Sequence, residues 1–158
     1  MSTLRFITYE QATPEQQATF AQFNLAWIEQ YFVVEAKDEH SLYHPDTAII
    51  AQGGQVLFGI DVNNQSVIVC ALLRQSDDVF ELSKMGMKQS EKGQGYAEKM
   101  VTATLNEARR MGAKMVFLES NRILKNALYI YEKCGFIEVP MLPSPYARAD
   151  IRMELNLG

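Results

Sequence analysis

The stretch that most constrains this chain is "VFELSKMGMKQSEKGQGYAEKM", residues 79–100, where the apolar pattern changes period across two glycines. Before the glycines the alternation suits a strand. After them Ala97, Met100, Val101, Thr104, Leu105 and Ala108 recur at the spacing of one helix face, which should end near Gly112. A strand that turns through glycines into a helix aims unpaired N–H groups, and the positive end of the helix dipole, at the turn. Gly93 and Gly95 permit left-handed backbone angles and let a ligand approach the main chain, and Lys92 adds a positive charge. The pattern predicts an anion site, with phosphate the natural ligand. Two familiar phosphate loops do not fit it. A dinucleotide fingerprint needs a third glycine where Glu98 stands, and the Gly-Lys-Ser/Thr of a nucleotide-binding P-loop is absent.

The remaining elements frame this unit. "LRFITY" alternates as a strand, and Thr13, Pro14 and Gln16 read as an N-cap, a first-turn proline and a capping-box partner. Phe20, Phe23, Trp27 and Tyr31 then give one apolar face to a helix. "VVEAKDEHSLYHPD" reads as a loop or short irregular helix. "TAIIAQ", "GQVLFGIDV" and "QSVIVCALLRQ" read as strands, the last two joined by a hairpin at Asn63 and Asn64. Beyond the central helix come a strand "KMVFLES", a helix "LKNALYIYEKC" closed by Gly135, a strand "FIEVP" and an alternating tail "ADIRMELNL". This order predicts an α+β fold, a mixed and mostly antiparallel sheet flanked by helices, as a single domain over residues 1–158.

With 158 residues, 47% apolar and 22% charged, the chain can bury a core. The net charge of −4 argues against nucleic acid as a partner. Cys70 and Cys134 lie in apolar runs and read as buried free thiols. His40 and His44 lack further ligands at metal spacing, so no metal is expected. No leader is evident and no apolar run approaches the roughly 18 residues of a membrane span, so no membrane partner and a cytoplasmic location are the expectations.

The segments "LSKMGMKQSEKGQGYAEKMVTATLNEARRMGAKMVFLES" and "ALYIYEKCGFIEV" resemble the acetyl-CoA-dependent N-acetyltransferases of the GNAT superfamily, strongly over about residues 80–139. "NLAWIEQYFVVEAKDEHSL", "FELSKM" and "PSPYARADIRMEL" extend the likeness to a bacterial subfamily of small GNAT enzymes. The resemblance implies that acetyl-CoA is the cosubstrate. Met85, Gly86 and Met87 would run beside its pantetheine arm, with Gly86 easing close approach. Its pyrophosphate would lie on the amides of Lys92, Gly93, Gln94, Gly95, Tyr96 and Ala97. The chain departs from the family pattern at Ser90, where Gln or Arg is usual, and at Leu124, where an asparagine often stands. Asn121 or Asn126 would substitute for that asparagine.

Acetyl transfer to an alkyl amine needs a neutral nucleophile, although such amines, with pKa near about 10.4, are protonated at neutral pH. The resemblance places Glu81 where some members carry a general base, directly or through a water. The alternative for Glu81 is a salt bridge with Lys84. Tyr131 matches the tyrosine that stands near the sulfur as an acid. Glu119 is a second carboxylate whose phase along its strand turns it inward. Acceptor recognition is expected from Trp27, Glu29, Tyr31, Phe32 and Glu119, and from Tyr146 and Arg148 in "PSPYAR", which reads as a loop at the site mouth or a dimer contact. The expected partner is a small-molecule or protein amine, with a homodimer possible. A non-catalytic acyl-CoA-binding sensor on the same fold is the alternative to an enzyme, and nucleotide binding is a third reading.

Overall fold

The structure, a computed structural model, describes residues 3–158. Seven strands form one sheet: β1 (Arg5–Thr8), β2 (Gln55–Ile60), β3 (Ser66–Arg74), β4 (Val79–Met87), β5 (Met115–Ser120), β6 (Ile137–Val139) and β7 (Ile151–Asn156). Their order across the sheet is β1-β2-β3-β4-β5-β7-β6. All neighbours are antiparallel except β4 and β5. The predicted α+β class, a mixed and mostly antiparallel sheet flanked by helices, is the fold observed.

Four helices flank the sheet: α1 (Pro14–Tyr31), α2 (Ala36–Tyr43), α3 (Tyr96–Arg110) and α4 (Lys125–Lys133). α1 starts as its sequence directs, with Thr13 Oγ1 accepting from Gln16 N–H and the Gln16 side chain accepting from Thr13 N–H. On one face of the sheet Phe20 and Ile28 of α1 and Leu42 of α2 pack on Val56, Phe58 and Val69. On the other, Met100, Val101 and Leu105 of α3 pack on Leu72, Phe80 and Val116. Thr104 and Ala108 complete the buried stripe of α3, as its periodicity predicts.

Three expectations need correction. "TAIIAQ" is not a strand: Asp46–Ile50 form a wide helical turn, whose apolar run is satisfied by packing Ile49 into the core. The polar stretch before it contains a regular helix, α2, whose Asp38 is wholly buried. The face of α1 is also rotated from the predicted stripe. Gln16, Phe20, Asn24 and Ile28 are its buried residues, while Phe23, Trp27 and Tyr31 turn towards the edge of a cleft. Of the two thiols, Cys70 is buried and Cys134 only half-buried.

The feature that shapes the site is in β4. Val69 pairs with Gly86 and Ala71 with Ser83, so Cys70 alone opposes both Lys84 and Met85. This is a β-bulge, and Lys84 adopts φ of 54°, in the left-handed region that glycine normally occupies. Beyond Glu81 and Phe117 the parallel pairing of β4 with β5 stops. β4 continues against β3 alone and β5 against β7 alone, so the two strands part and open the sheet.

Gly86 sits just past the bulge, and its missing side chain serves α1. A Cβ there would lie 2.9 Å from the carbonyl carbon of Phe23 and 3.0 Å from the amide nitrogen of Asn24. Backbone cannot yield as a side chain does, so Gly86→Ala should lower stability by about 1–3 kcal/mol through overpacking. Urea denaturation checks this: the midpoint should fall with the slope unchanged, and an unchanged midpoint would mean that α1 does not press on β4 here.

Candidate active site

The parted strands open a cleft of about 570 Å³. Its floor is β4 from Glu81 to Met87, so the expected Met85, Gly86 and Met87 all border it. At its far end stands the glycine turn. Gly93 and Gly95 have φ of 84° and 77°, and nothing lies within 4 Å of where a Cβ of either would be. Gly95 caps α3, whose first-turn N–H groups therefore face this end with Tyr96 and Ala97. Lys92 also lines the cleft, whereas Gln94 is exposed on the turn and does not.

The opposite wall is the loop after β5 and the helix α4. Asn121 and Asn126 both line the cleft, but differently. The Asn121 amide donates to the Arg148 carbonyl at 2.7 Å, and its oxygen accepts from Ile123 N–H at 3.0 Å, so it is committed to the local turn. Asn126 is exposed at the start of α4 and carries no such commitment. Tyr131, on the inner face of α4, is 8% exposed, meets Phe136 edge to face, and borders the same cleft. Burial pushes its phenol above the ordinary tyrosine value, so it stays neutral and retains its O–H as a donor.

Two carboxylates share the cleft, Glu81 on β4 and Glu119 on β5. Burial, reinforced by the charge of Glu119, raises the Glu81 carboxyl to about 7, against the pull of Lys84, Lys37 and Arg152. The Glu81–Lys84 salt bridge, the alternative reading for Glu81, is not formed. Lys84, whose backbone is left-handed, instead turns to α2 and pairs with Asp38. Glu119 accepts a hydrogen bond from Ser144 Oγ at 2.7 Å, which supplies the partner that an inward carboxylate requires.

The remaining wall is built by α1, the turn into α2, and the loop before β7. Trp27, Tyr31 and Phe32 line it together with Tyr146 and Arg148, which places "PSPYAR" at the cleft. Glu29 points to solvent outside the cleft.

This wall is held by a buried ionic cluster that the sequence reading missed. Lys84 Nζ donates to Asp38 Oδ1 at 2.7 Å and to Tyr146 Oη at 3.0 Å. Arg148 grips Asp38 with both Nη atoms, at 2.8 and 2.6 Å, and reaches Glu35 Oε2 at 3.5 Å. Glu35 N–H completes the shell of Asp38 at 2.9 Å. Asn24 ties the cluster to α1: it donates to the carbonyls of Phe20 and Lys84 and accepts from Trp27 Nε1. Two sequence signals pointed here. Lys84 falls in the inward phase of β4 with Phe80, Leu82 and Gly86, and Asn24 interrupts the buried face of α1.

Burial would raise the Asp38 carboxyl, but the bonds from Arg148, Lys84 and the Glu35 amide outweigh it and hold it at about 2. A carboxylate depressed from 3.8 stabilises the folded chain above that value, and the contribution is lost as pH falls through about 2. Asp38→Asn should therefore flatten the loss of stability between pH 4 and 2 while costing stability at pH 7. Asp38→Ala should cost about 3–5 kcal/mol there, since it strips buried Lys84 of its counter-charge and leaves Arg148 only the longer contact with Glu35. Thermal melts across pH check both; a wild-type acid slope surviving in Asp38→Asn would contradict the assignment.

Among the described residues, no group of three or more His, Cys, Asp or Glu side chains lies close enough to hold a metal ion, and no helix is long and apolar enough to cross a membrane. Comparison with known proteins places the chain among acetyltransferases. The model of the Acetyltransferase (GNAT) family matches residues 10–136. The uncharacterized N-acetyltransferase YjgM of Escherichia coli K12 is 35% identical over 68 residues, a match spanning 43% of this chain and only 41% of YjgM. Among solved structures, a GNAT-family acetyltransferase from Staphylococcus aureus MU50 superposes with a TM-score of 0.85 at 17% identity, over 99% of this chain and 100% of its own. The structure of yncA from Salmonella typhimurium, with its cofactor acetyl-CoA, superposes with a TM-score of 0.73 at 18% identity, over 100% of this chain and 95% of its own.

Proposed function

Because the chain belongs to the acetyltransferase (GNAT) family, we propose that it moves the acetyl group of acetyl-CoA to a primary amine by direct attack, with Glu81 as base and Tyr131 as hydrogen-bond donor to the sulfur. One observation carries this reading: a carboxylate that titrates near 7, a neutral tyrosine and an open helix N-terminus all border a single cleft. The acetyl-CoA in the Salmonella relative supports the choice of cosubstrate.

The anion end takes the diphosphate of the cosubstrate. N–H groups of Gly93, Gly95, Tyr96 and Ala97 and the charge of Lys92 provide the attraction, and the two open glycines let the phosphates reach the main chain. The parted edge of β4 takes the pantetheine arm, which would replace the ladder partner that β5 no longer supplies. Beyond Glu81 the β5-facing edge of β4 has no ladder partner, and a main-chain N–H on that edge would polarise the thioester oxygen.

Glu81 takes the proton of the entering ammonium. Its carboxyl, pushed up to about 7, exchanges its proton close to neutral pH, which suits a base that must also release the proton afterwards. The freed nitrogen forms the C–N bond and the C–S bond breaks. The electron pair leaves on sulfur, where the Tyr131 O–H stabilises it, and the thiolate takes up the second proton that the nitrogen sheds as the amide forms. The raised pKa of Tyr131 keeps that donor in place at every working pH.

The test is CoA release from acetyl-CoA against a panel of amines. Glu81→Gln and Tyr131→Phe should each lower kcat by about 10²-fold or more while acetyl-CoA still binds. Wild-type kcat should rise with pH through about 7 and then level. Glu119→Gln removes a charge that raises Glu81, so the limb should move to lower pH. A limb that ignores Glu119→Gln and survives Glu81→Gln would assign the base elsewhere. Tight acetyl-CoA binding with no turnover of any amine would favour the acyl-CoA sensor instead.

A further inference from the structure

The walls of the cleft also carry information about the acceptor. Building on the acetyl-transfer reading, we propose that the acceptor is a primary amine on an uncharged aromatic body, an arylalkylamine, and that it lacks a carboxylate.

The first observation is that the cations on the acceptor wall are already consumed. Lys84 and Arg148 are the positively charged residues lining that side, and both are bound to Asp38. The Arg148 fork makes two bonds to one carboxylate, its third contact goes to Glu35, and its side chain is 12% exposed. An acceptor carboxylate could reach it only by breaking that arrangement. The other cations of the cleft, Lys92 and Lys125, stand at the glycine turn and at the first residue of α4. Lys37 and Arg152 act on Glu81 through space but do not line the cleft.

The second observation is the sign of what remains. Glu81 and Glu119 meet the entering acceptor, and neither forms an ion pair among the described residues. An ammonium is drawn to them. A carboxylate two bonds from that ammonium is repelled by them and finds no donor fork in return.

The third is the wall itself. Trp27 and Phe32 meet edge to face with centroids 6.3 Å apart, and Tyr31 stands 6.4 Å from Phe32. Trp27 is fixed by its bond to Asn24, and Phe23 adds to the same surface. Such surfaces bury flat apolar groups. A second ammonium, as in a polyamine, is disfavoured there. The Arg148 guanidinium already lies 5.9 Å from the Trp27 ring and 4.5 Å from the Tyr146 ring, so those two rings already hold a cation that would repel another.

Matched pairs decide the matter, because each differs only by the carboxylate. CoA release should be measured with phenethylamine against phenylalanine, tyramine against tyrosine, and spermidine alongside, with acetyl-CoA binding read separately by thermal shift. The aromatic amines should exceed their amino acids in kcat/KM by about a hundredfold or more, and should exceed spermidine. Asp38→Asn frees the Arg148 fork and should move the amine-to-amino-acid ratio about tenfold towards the amino acid, which general loss of structure would not do. If that variant does not fold, the wild-type pairs decide alone. Amino acids or spermidine preferred, or bound acetyl-CoA with no turnover of an aromatic amine, would overturn the acceptor assignment and leave the cosubstrate standing. Absence of acetyl-CoA binding would overturn the transferase reading beneath it.

Discussion

One extra residue in β4 organises the functional half of this protein. Where Cys70 opposes both Lys84 and Met85, the strand must bend, and the residue that absorbs the bend has a left-handed backbone. A lysine in that conformation costs energy that glycine would not. It persists because its surroundings fix it at both ends. The Lys84 carbonyl accepts from buried Asn24, and its ammonium is bound to Asp38 and Tyr146. The bulge lies just beyond the last residues that β4 pairs with β5, where the cleft opens. Backbone irregularity, buried charge and ligand cleft are one arrangement.

The buried cluster then joins pieces far apart in the chain. Asp38 from α2, Lys84 from β4, and Tyr146 and Arg148 from the loop before β7 meet at hydrogen-bond distance. Burying these charges gains little net stability compared with an apolar substitute. What it fixes is position: the loop carrying Tyr146 and Arg148 is held against the α1–α2 wall, and Trp27 is oriented through Asn24. The same pairing ties up the two cations of that wall, opposite the carboxylates Glu81 and Glu119.

Much of this was legible in the sequence where local rules govern. The glycine turn and the stripe of α3 appear as their spacing predicts, and so do the capping box of α1 and the hairpin at Asn64, where φ is 64°. The failures share a cause. "TAIIAQ" has the composition of a strand but lies where Ile49 is needed in the core, so packing overrides propensity. α2 read as loop or short irregular helix because one of its buried residues, Asp38, is a charge whose partners lie 46 and 110 positions away. A second constraint on Gly86 went unseen for the same reason: its Cβ space is claimed by the backbone of α1, a neighbour that no local pattern announces. Among the site residues, Glu29 and Gln94 fall outside the cleft because one residue of rotation on a helix or turn exchanges a lining position for solvent.

The central claim is that the parted strands β4 and β5 form the seat of acetyl-CoA, with Glu81 and Tyr131 at its reacting end. A crystal structure of the complex with acetyl-CoA tests it most directly. The account predicts diphosphate on the main-chain N–H groups at Gly93–Ala97, a pantetheine arm along β4 past the bulge, and the thioester between Glu81 and Tyr131. Acetyl-CoA bound away from the parted strands, or seated there with its thioester remote from both side chains, would contradict it.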